Sequence, residues 1–249
     1  MKRIKIYGER NTNTNYLGEL VKLNLEAKLI PGVVPKMMRR AQRFLPAKNQ
    51  LRDIYFAATF PRNLGWKHSR VRDPQELKSL SLLKAHDVIF LTITKNPYSW
   101  LLSLYKRPYH QLYREELTFE EFLQAPWATM QRDNIPGPLP SPSHLWNVKN
   151  QSYLGLDGLS RMNLTAESIL LDPEAVIESI SREFQIPRKT SDFKNFDEST
   201  KYEDKTSEYY QKYYINECWR SDVSDEAKQI INPVLDEKIM TYFSYSYLT

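Results

Sequence analysis

Four cations are spaced as if to meet an anion: Arg10, Lys67, His68 when protonated, and Lys95. Arg10 opens a run of small polar residues, Asn11, Thr12, Asn13, Thr14 and Asn15. The apolar Ile4, Ile6 and Tyr7 precede that run, and Leu17, Leu20, Val21, Leu25 and Leu29 follow it at helical spacing. A strand, a tight polar turn and a helix start would aim free backbone N–H groups and a positive dipole end at one anion. Asn13 tolerates the left-handed conformation that such a turn demands. In Trp66-Lys67-His68, the lysine favours the neutral, proton-accepting form of the histidine beside it. Lys95 follows the most apolar stretch of the chain, Val88 to Thr94, and Ser99 and Ser103 lie four apart on one helical face beyond it.

This pattern differs from a metal-dependent NTPase. The turn has no glycine and lysine where Asn13 and Thr14 stand, and the strand ends in Lys95 rather than an aspartate that would hold magnesium. A cation at a strand's carboxyl end, beside a helix start, suits a second anion. In an open α/β sheet the ligand crevice lies at those strand ends, so Arg10, Lys67, His68 and Lys95 are expected to converge there.

The elements that must position these residues read as an α/β domain with a central, mostly parallel sheet flanked by helices. Val88 to Thr94 is apolar throughout, as a strand buried on both faces should be. Asn96-Pro97, Asp73-Pro74 and Asp172-Pro173 are cap-plus-proline helix starts, and Thr118 with Glu121 forms a capping box. The helix after Asp73 is expected to run to about Lys84. Ile54 to Phe60 reads as a strand, and Ser224 to Phe243 as one closing helix. His144 resumes a helix on which Trp146, Lys149, Gln151 and Tyr153 are candidate substrate contacts. The whole of 1–249 reads as one domain. Segments near 31–48 (basic, with Arg39, Arg40 and Arg43), 134–143 (Pro-rich) and 194–214 (charged, tyrosine-rich) are candidate flaps or lids.

Composition bounds the function. With 249 residues, 41% hydrophobic and 26% charged, the chain can bury a sizeable core. A net charge of +5 suits an anionic substrate without requiring nucleic acid. Cys218 is the only cysteine, which leaves no internal disulfide or cysteine-based zinc site and favours a reducing compartment. No apolar stretch is long enough to span a membrane, and the charged start leading into a strand does not read as a signal peptide; a cytoplasmic protein is expected.

Two stretches together resemble the sulfotransferases that use 3′-phosphoadenosine-5′-phosphosulfate (PAPS). Arg10-Asn11-Thr12-Asn13-Thr14-Asn15-Tyr16-Leu17 is similar to their 5′-phosphosulfate loop. Thr12 and Thr14 match its hydroxyl positions, while Asn13 stands at its glycine and Asn11 at its basic residue, with Arg10 one place earlier. Lys95-Asn96-Pro97 followed by Ser103-Leu104-Tyr105 is similar to their 3′-phosphate motif, with lysine for arginine. Trp66-Lys67-His68, the passage Ser168 to Glu174 and the closing Tyr242 to Tyr245 are weaker echoes.

The resemblance implies a P-loop-like sulfotransferase architecture and transfer of a sulfuryl group to an acceptor hydroxyl, leaving 3′-phosphoadenosine-5′-phosphate (PAP). It implies His68 as general base, with Arg10 and Lys67 beside it. Arg10, Asn11, Thr12, Asn13, Thr14, Asn15, Lys95 and Ser103 would bind the donor. No metal is required by this chemistry. The 16 tyrosines and 5 tryptophans suit a small-molecule or oligosaccharide acceptor, with a carbohydrate hydroxyl favoured. The alternatives are a non-catalytic nucleotide-binding module and, behind it, a nucleotide or small-molecule kinase.

Overall fold

The computed structural model describes residues 1–41, 48–83, 87–111, 117–196 and 207–249. In chain order its elements are β1 (Lys2–Gly8), α1 (Thr14–Asn24), β2 (Ala27–Leu29), α2 (Lys36–Ala41), α3 (Lys48–Asn63), α4 (Pro74–Leu80), β3 (Val88–Thr94), α5 (Pro97–Tyr105), α6 (Phe119–Gln124) and α7 (Pro142–Leu154). β4 (Arg161–Thr165), α8 (Ala166–Leu171), α9 (Pro173–Phe184), α10 (Ser207–Ile215), α11 (Asp225–Ile231) and α12 (Glu237–Tyr242) follow.

The described strands form one parallel sheet in the order β2-β1-β3-β4. β3 is buried at every position, as its unbroken apolar sequence requires. The chain runs from β1 outward to β2, then returns to the other flank of β1 as β3. The strand order therefore reverses between β1 and β3, where Gly8 lies in register with Ile93. A crevice opens at such a reversal, beyond the carboxyl ends of the two strands.

On one face of the sheet, Leu17, Leu20 and Val21 of α1 and Ile177 and Ile180 of α9 pack against Ile4, Ile6, Ile89 and Leu91. Tyr7, Phe90, Tyr153 and Leu156 form a separate cluster with Leu64 and Leu77. The largest cluster gathers α5, α6, α7, α11 and α12 around Trp100, Trp127, Trp146 and Trp219. No helix among the described residues is long and apolar enough to cross a membrane.

The proline starts hold. Asp73 caps α4 through the N–H groups of Gln75 and Glu76, Asn96 caps α5 through Tyr98, and Asp172 caps α9 through Ala175. Thr118 and Glu121 form both bonds of the capping box. Several expected spans are corrected. Ile54 to Phe60 lies in α3 and not in a strand: Asp53 and Phe56 turn inward while Ile54 stays exposed, which is helical spacing. α1 stops at Asn24, whose side chain bonds Leu20 O and both N and O of Lys194, so Leu29 belongs to β2. α4 ends at Leu80, and Lys84 lies outside the described residues.

The single closing helix is two. Pro233 cannot continue α11, and Asp236 caps α12 afresh through Lys238 and Ile239. Of the candidate flaps, 42–47 with Arg43, and 197–206, lie outside the described residues, while Lys36–Ala41 is helical. The Pro-rich stretch is irregular up to Pro142 and is tied back at Trp127, which exchanges both backbone bonds with Leu139 at 2.9 Å.

Candidate functional site

The loop after β1 is the centre of the site. Gly8 lets the loop pack closely where the strand ends: a Cβ there would stand 2.7 Å from Thr14 Cγ2 and 2.8 Å from Thr12 Oγ1, and one of the threonines would have to shift. Asn11 and Asn13 take the left-handed conformation at φ 65° and 62°. Asn13 is the N-cap of α1 yet makes no capping bond with its side chain. Among the described residues, no protein acceptor takes the backbone N–H of Thr12, Asn13, Thr14 or Asn15. Left-handed backbone joined to an uncapped helix start makes a concave nest of N–H groups, which suits an anion. The hydroxyl of Thr12 turns inward to Glu9 O at 2.6 Å and shapes the loop from within.

Arg10 is held in an aromatic clamp. Its guanidinium lies 4.1 Å from the Tyr109 ring centre and 4.9 Å from that of Trp66, with Nη1 3.3 Å from His110 Nδ1. Trp100 Nε1 donates to Arg10 O at 3.0 Å. Tyr109 is bent to φ 60°, an uncommon backbone for an aromatic residue, and its hydroxyl donates to Asn11 Oδ1 at 2.8 Å.

Lys67 and His68 come up beside the same loop. Lys67 Nζ donates to Asn15 Oδ1 in the first turn of α1, and Gly8 N donates to Lys67 O at 3.0 Å. His68 Nδ1 sits 2.6 Å from Gly8 O. A carbonyl only accepts, so Nδ1 carries the proton and the neutral ring keeps its lone pair on Nε2. Burial and the neighbouring Lys67 charge push the imidazole well below its ordinary value, with Arg10 and Lys149 adding to the effect against the Gly8 bond. The base expected from the sequence is thus neutral and fixed as the tautomer that takes a proton at Nε2.

On the other side of the loop, Lys95 Nζ donates to Ser103 Oγ at 3.0 Å, and Ser103 Oγ donates to Ser99 O at 2.8 Å. Asn11 Nδ2 reaches Ser103 O at 3.2 Å, so the two sequence motifs are joined directly. Lys95 is only 2% exposed. The ring of Tyr214, from α10, lies 3.6 Å from its ammonium, and the Tyr214 hydroxyl is 3.3 Å from Ser103 Oγ. An anion that reaches Lys95 has to move this ring or bind its hydroxyl.

Arg10 to Asn15, Lys67, His68, Lys95 and Ser103 therefore gather at the β1/β3 reversal. Lys67 and His68 flank the loop on the Gly8 and Asn15 side, and Lys95 and Ser103 on the Asn11 side. The candidate substrate contacts on α7 are corrected: Trp146, Lys149 and Tyr153 are buried, and Trp146 Nε1 donates to Lys95 O at 2.9 Å. Gln151 alone of the four is exposed. Tyr109, His110 and Tyr214 also line the site, and no local pattern in the sequence marks them. A tyrosine-rich run signals neither a left-handed tyrosine nor a ring over a distant lysine.

The residues form two separate groups whose chemistry suits anions. One is the N–H nest with Arg10 and Lys67, and the other is the Lys95–Ser103 pair beneath Tyr214.

No family model matches the sequence, and no curated protein matches it. Among solved structures the chain is similar to a sulfotransferase from Alicyclobacillus acidocaldarius, with a TM-score of 0.45, 15% identity and coverage of 96% of this chain and 98% of that one. It is also similar to the sulfotransferase domain from the curacin biosynthetic pathway, with a TM-score of 0.44, 12% identity and coverage of 99% and 98%.

Proposed function

We propose that this protein transfers a sulfuryl group from PAPS to an acceptor hydroxyl. The observation that carries the reading is the joining of two anion-binding halves through Asn11 and Ser103, with a neutral histidine next to one half and a lysine–serine pair in the other. Bound PAPS supplies the sulfuryl group and leaves as PAP. His68 Nε2 takes the proton of the acceptor hydroxyl as its oxygen bonds to sulfur. The N–H groups of Thr12 to Asn15, with Arg10 and Lys67, face the charge left on the 5′ side. Lys95 and Ser103 hold the 3′-phosphate, the group that separates PAPS from ATP. Sulfuryl transfer, like phosphoryl transfer, leaves the protein mainly positioning and charge stabilisation to do.

The content of 16 tyrosines and 5 tryptophans suits a carbohydrate hydroxyl as acceptor, on an oligosaccharide or a small molecule. The test is transfer of radiolabelled sulfate from PAPS to a panel of sugars, phenols and alcohols. Label moving to any hydroxyl acceptor supports the reading, and none moving to any class removes it. One observation favours a second reading, a nucleotide-binding module without transfer: Asn13 stands at the glycine of the loop and Asn11 at its basic residue. PAP binding without any transfer would select it.

A further inference from the structure

Every carbonyl from Asn63 to His68 meets a donor. Lys5 Nζ donates to Asn63 O and Gly65 O, each at 2.6 Å, and Tyr7 Oη donates to Leu64 O. Ser69 Oγ donates to Trp66 O at 2.7 Å, Gly8 N to Lys67 O at 3.0 Å, and Lys149 Nζ to His68 O. The segment is not regular, and Leu64 and Gly65 both take positive φ, 60° and 83°. An irregular backbone this deeply placed persists only when its polar groups are all matched. The donors come from β1 and α7, not from the segment's own neighbours, apart from Ser69.

Lys149 differs from the other donors. It is fully buried on α7, and its ammonium also lies 3.3 Å from Asp133 Oδ1 and 3.7 Å from Glu9 Oε2. The other carboxylate oxygen of Glu9 accepts the N–H of Arg10 at 3.0 Å. Asp133 is tied in turn to the residues after the histidine, since Arg70 N donates to Asp133 O at 2.8 Å. Burial opposes ionisation of both carboxyls. It leaves Glu9 above its ordinary range, whereas Lys149 and the Met130 N–H hold Asp133 below its own.

We infer that Lys149 is a positioning residue, which holds the His68 backbone and the Glu9–Arg10 loop in one fixed relation through a single buried ammonium. It touches no crevice and cannot meet a substrate. It acts by fixing where the His68 ring stands, and so whether Nδ1 keeps its bond to Gly8 O. This rests on the reading of His68 as the base. The network is costly to bury and expensive to break, because removing the cation strands two carboxyl groups and one carbonyl.

The test reads the imidazole directly. In 15N-labelled full-length protein, with the signals assigned through His68→Gln, the wild-type ring keeps its proton on Nδ1. In Lys149→Met the ring distributes the proton over both nitrogens, kcat falls about tenfold or more, and PAP affinity falls by less than kcat does. A His68 ring in Lys149→Met with the wild-type tautomer overturns the inference, whatever happens to kcat. If Lys149→Met does not fold, Asp133→Asn loosens the same ammonium and is read the same way, with the same overturning result. A wild-type chain inert toward every acceptor, whose His68 tautomer is nonetheless lost in Lys149→Met, upholds the positioning and removes the assignment of His68 as base.

Discussion

Asn11 Nδ2 lies 3.2 Å from Ser103 O, and this bond spans the gap between the loop after β1 and the helix after β3. It joins the two stretches that the sequence marked separately for the two ends of one donor. Tyr109, which donates to Asn11 Oδ1 and covers Arg10, closes the same corner from outside. The predictions below follow from this junction and from the histidine beside it.

In the proposed reading Lys95 meets the 3′-phosphate, so Lys95→Met should weaken PAP by about tenfold or more, the loss expected for one charge-assisted hydrogen bond. AMP, which has no 3′-phosphate, should bind the variant and the wild type alike. Calorimetric titration of both nucleotides checks this, and equal losses for PAP and AMP would contradict it.

His68→Ala should abolish transfer while leaving PAP affinity within a few-fold of wild type. Turnover in the variant at the wild-type rate removes His68 from the mechanism.

The histidine also sets a pH dependence. Burial and the Lys67 charge depress its folded-state value below the ordinary 6.5, so the folded protein stays neutral there while the unfolded chain takes up a proton. The unfolded state then binds more protons, and stability is lost as pH falls from 6.5 toward the depressed folded value. Above that window the contribution is fully present. Tm measured against pH should fall on acidification more steeply in wild type than in His68→Gln, and parallel curves would count against a depressed value. Transfer should be level from pH 6.5 upward through neutrality, because the base is already deprotonated.

Tyr214 stands over Lys95 with its ring 3.6 Å from the ammonium. Tyr214→Ala should speed PAP association a few-fold in stopped flow, since a site that is open more of the time is found sooner. Slower association would mean instead that the tyrosine hydroxyl holds the ligand.

At Asn13, φ is 62°. Asn13→Gly should therefore fold with little change in Tm, whereas Asn13→Val should cost about 1–2 kcal/mol in denaturant unfolding from left-handed strain. An undisturbed valine variant would show that the turn is not held in this conformation.

Much of the site was readable in the sequence because local rules decide it. Val88 to Thr94 reads as a doubly buried strand, Asn96-Pro97 as a helix start, and a small polar run between apolar segments as a turn before one. The left-handed Asn13 follows from the same chemistry. The tertiary partners were not readable. Lys5 looks out of place in an apolar strand until the carbonyls of Asn63 and Gly65 turn toward it. Lys149 reads as a candidate substrate contact until Glu9 and Asp133 surround it. Tyr214 meets Lys95 across more than a hundred residues, and no periodicity encodes that contact. The misread spans have local causes of the same kind. Ile54 to Phe60 is rich in strand-favouring side chains, yet Asp53 is claimed by a buried ion pair with Arg132 at 2.7 Å, which fixes the inward face of a helix.

The central claim is that one site grips both ends of a 3′-phosphorylated adenosine donor. Thermal shift with PAP, AMP and ATP, each with and without magnesium, tests it most directly. The account predicts that PAP raises Tm most, by the same amount whether or not magnesium is present, with AMP and ATP well behind. A larger shift from ATP that depends on magnesium, or no shift from PAP, would contradict it.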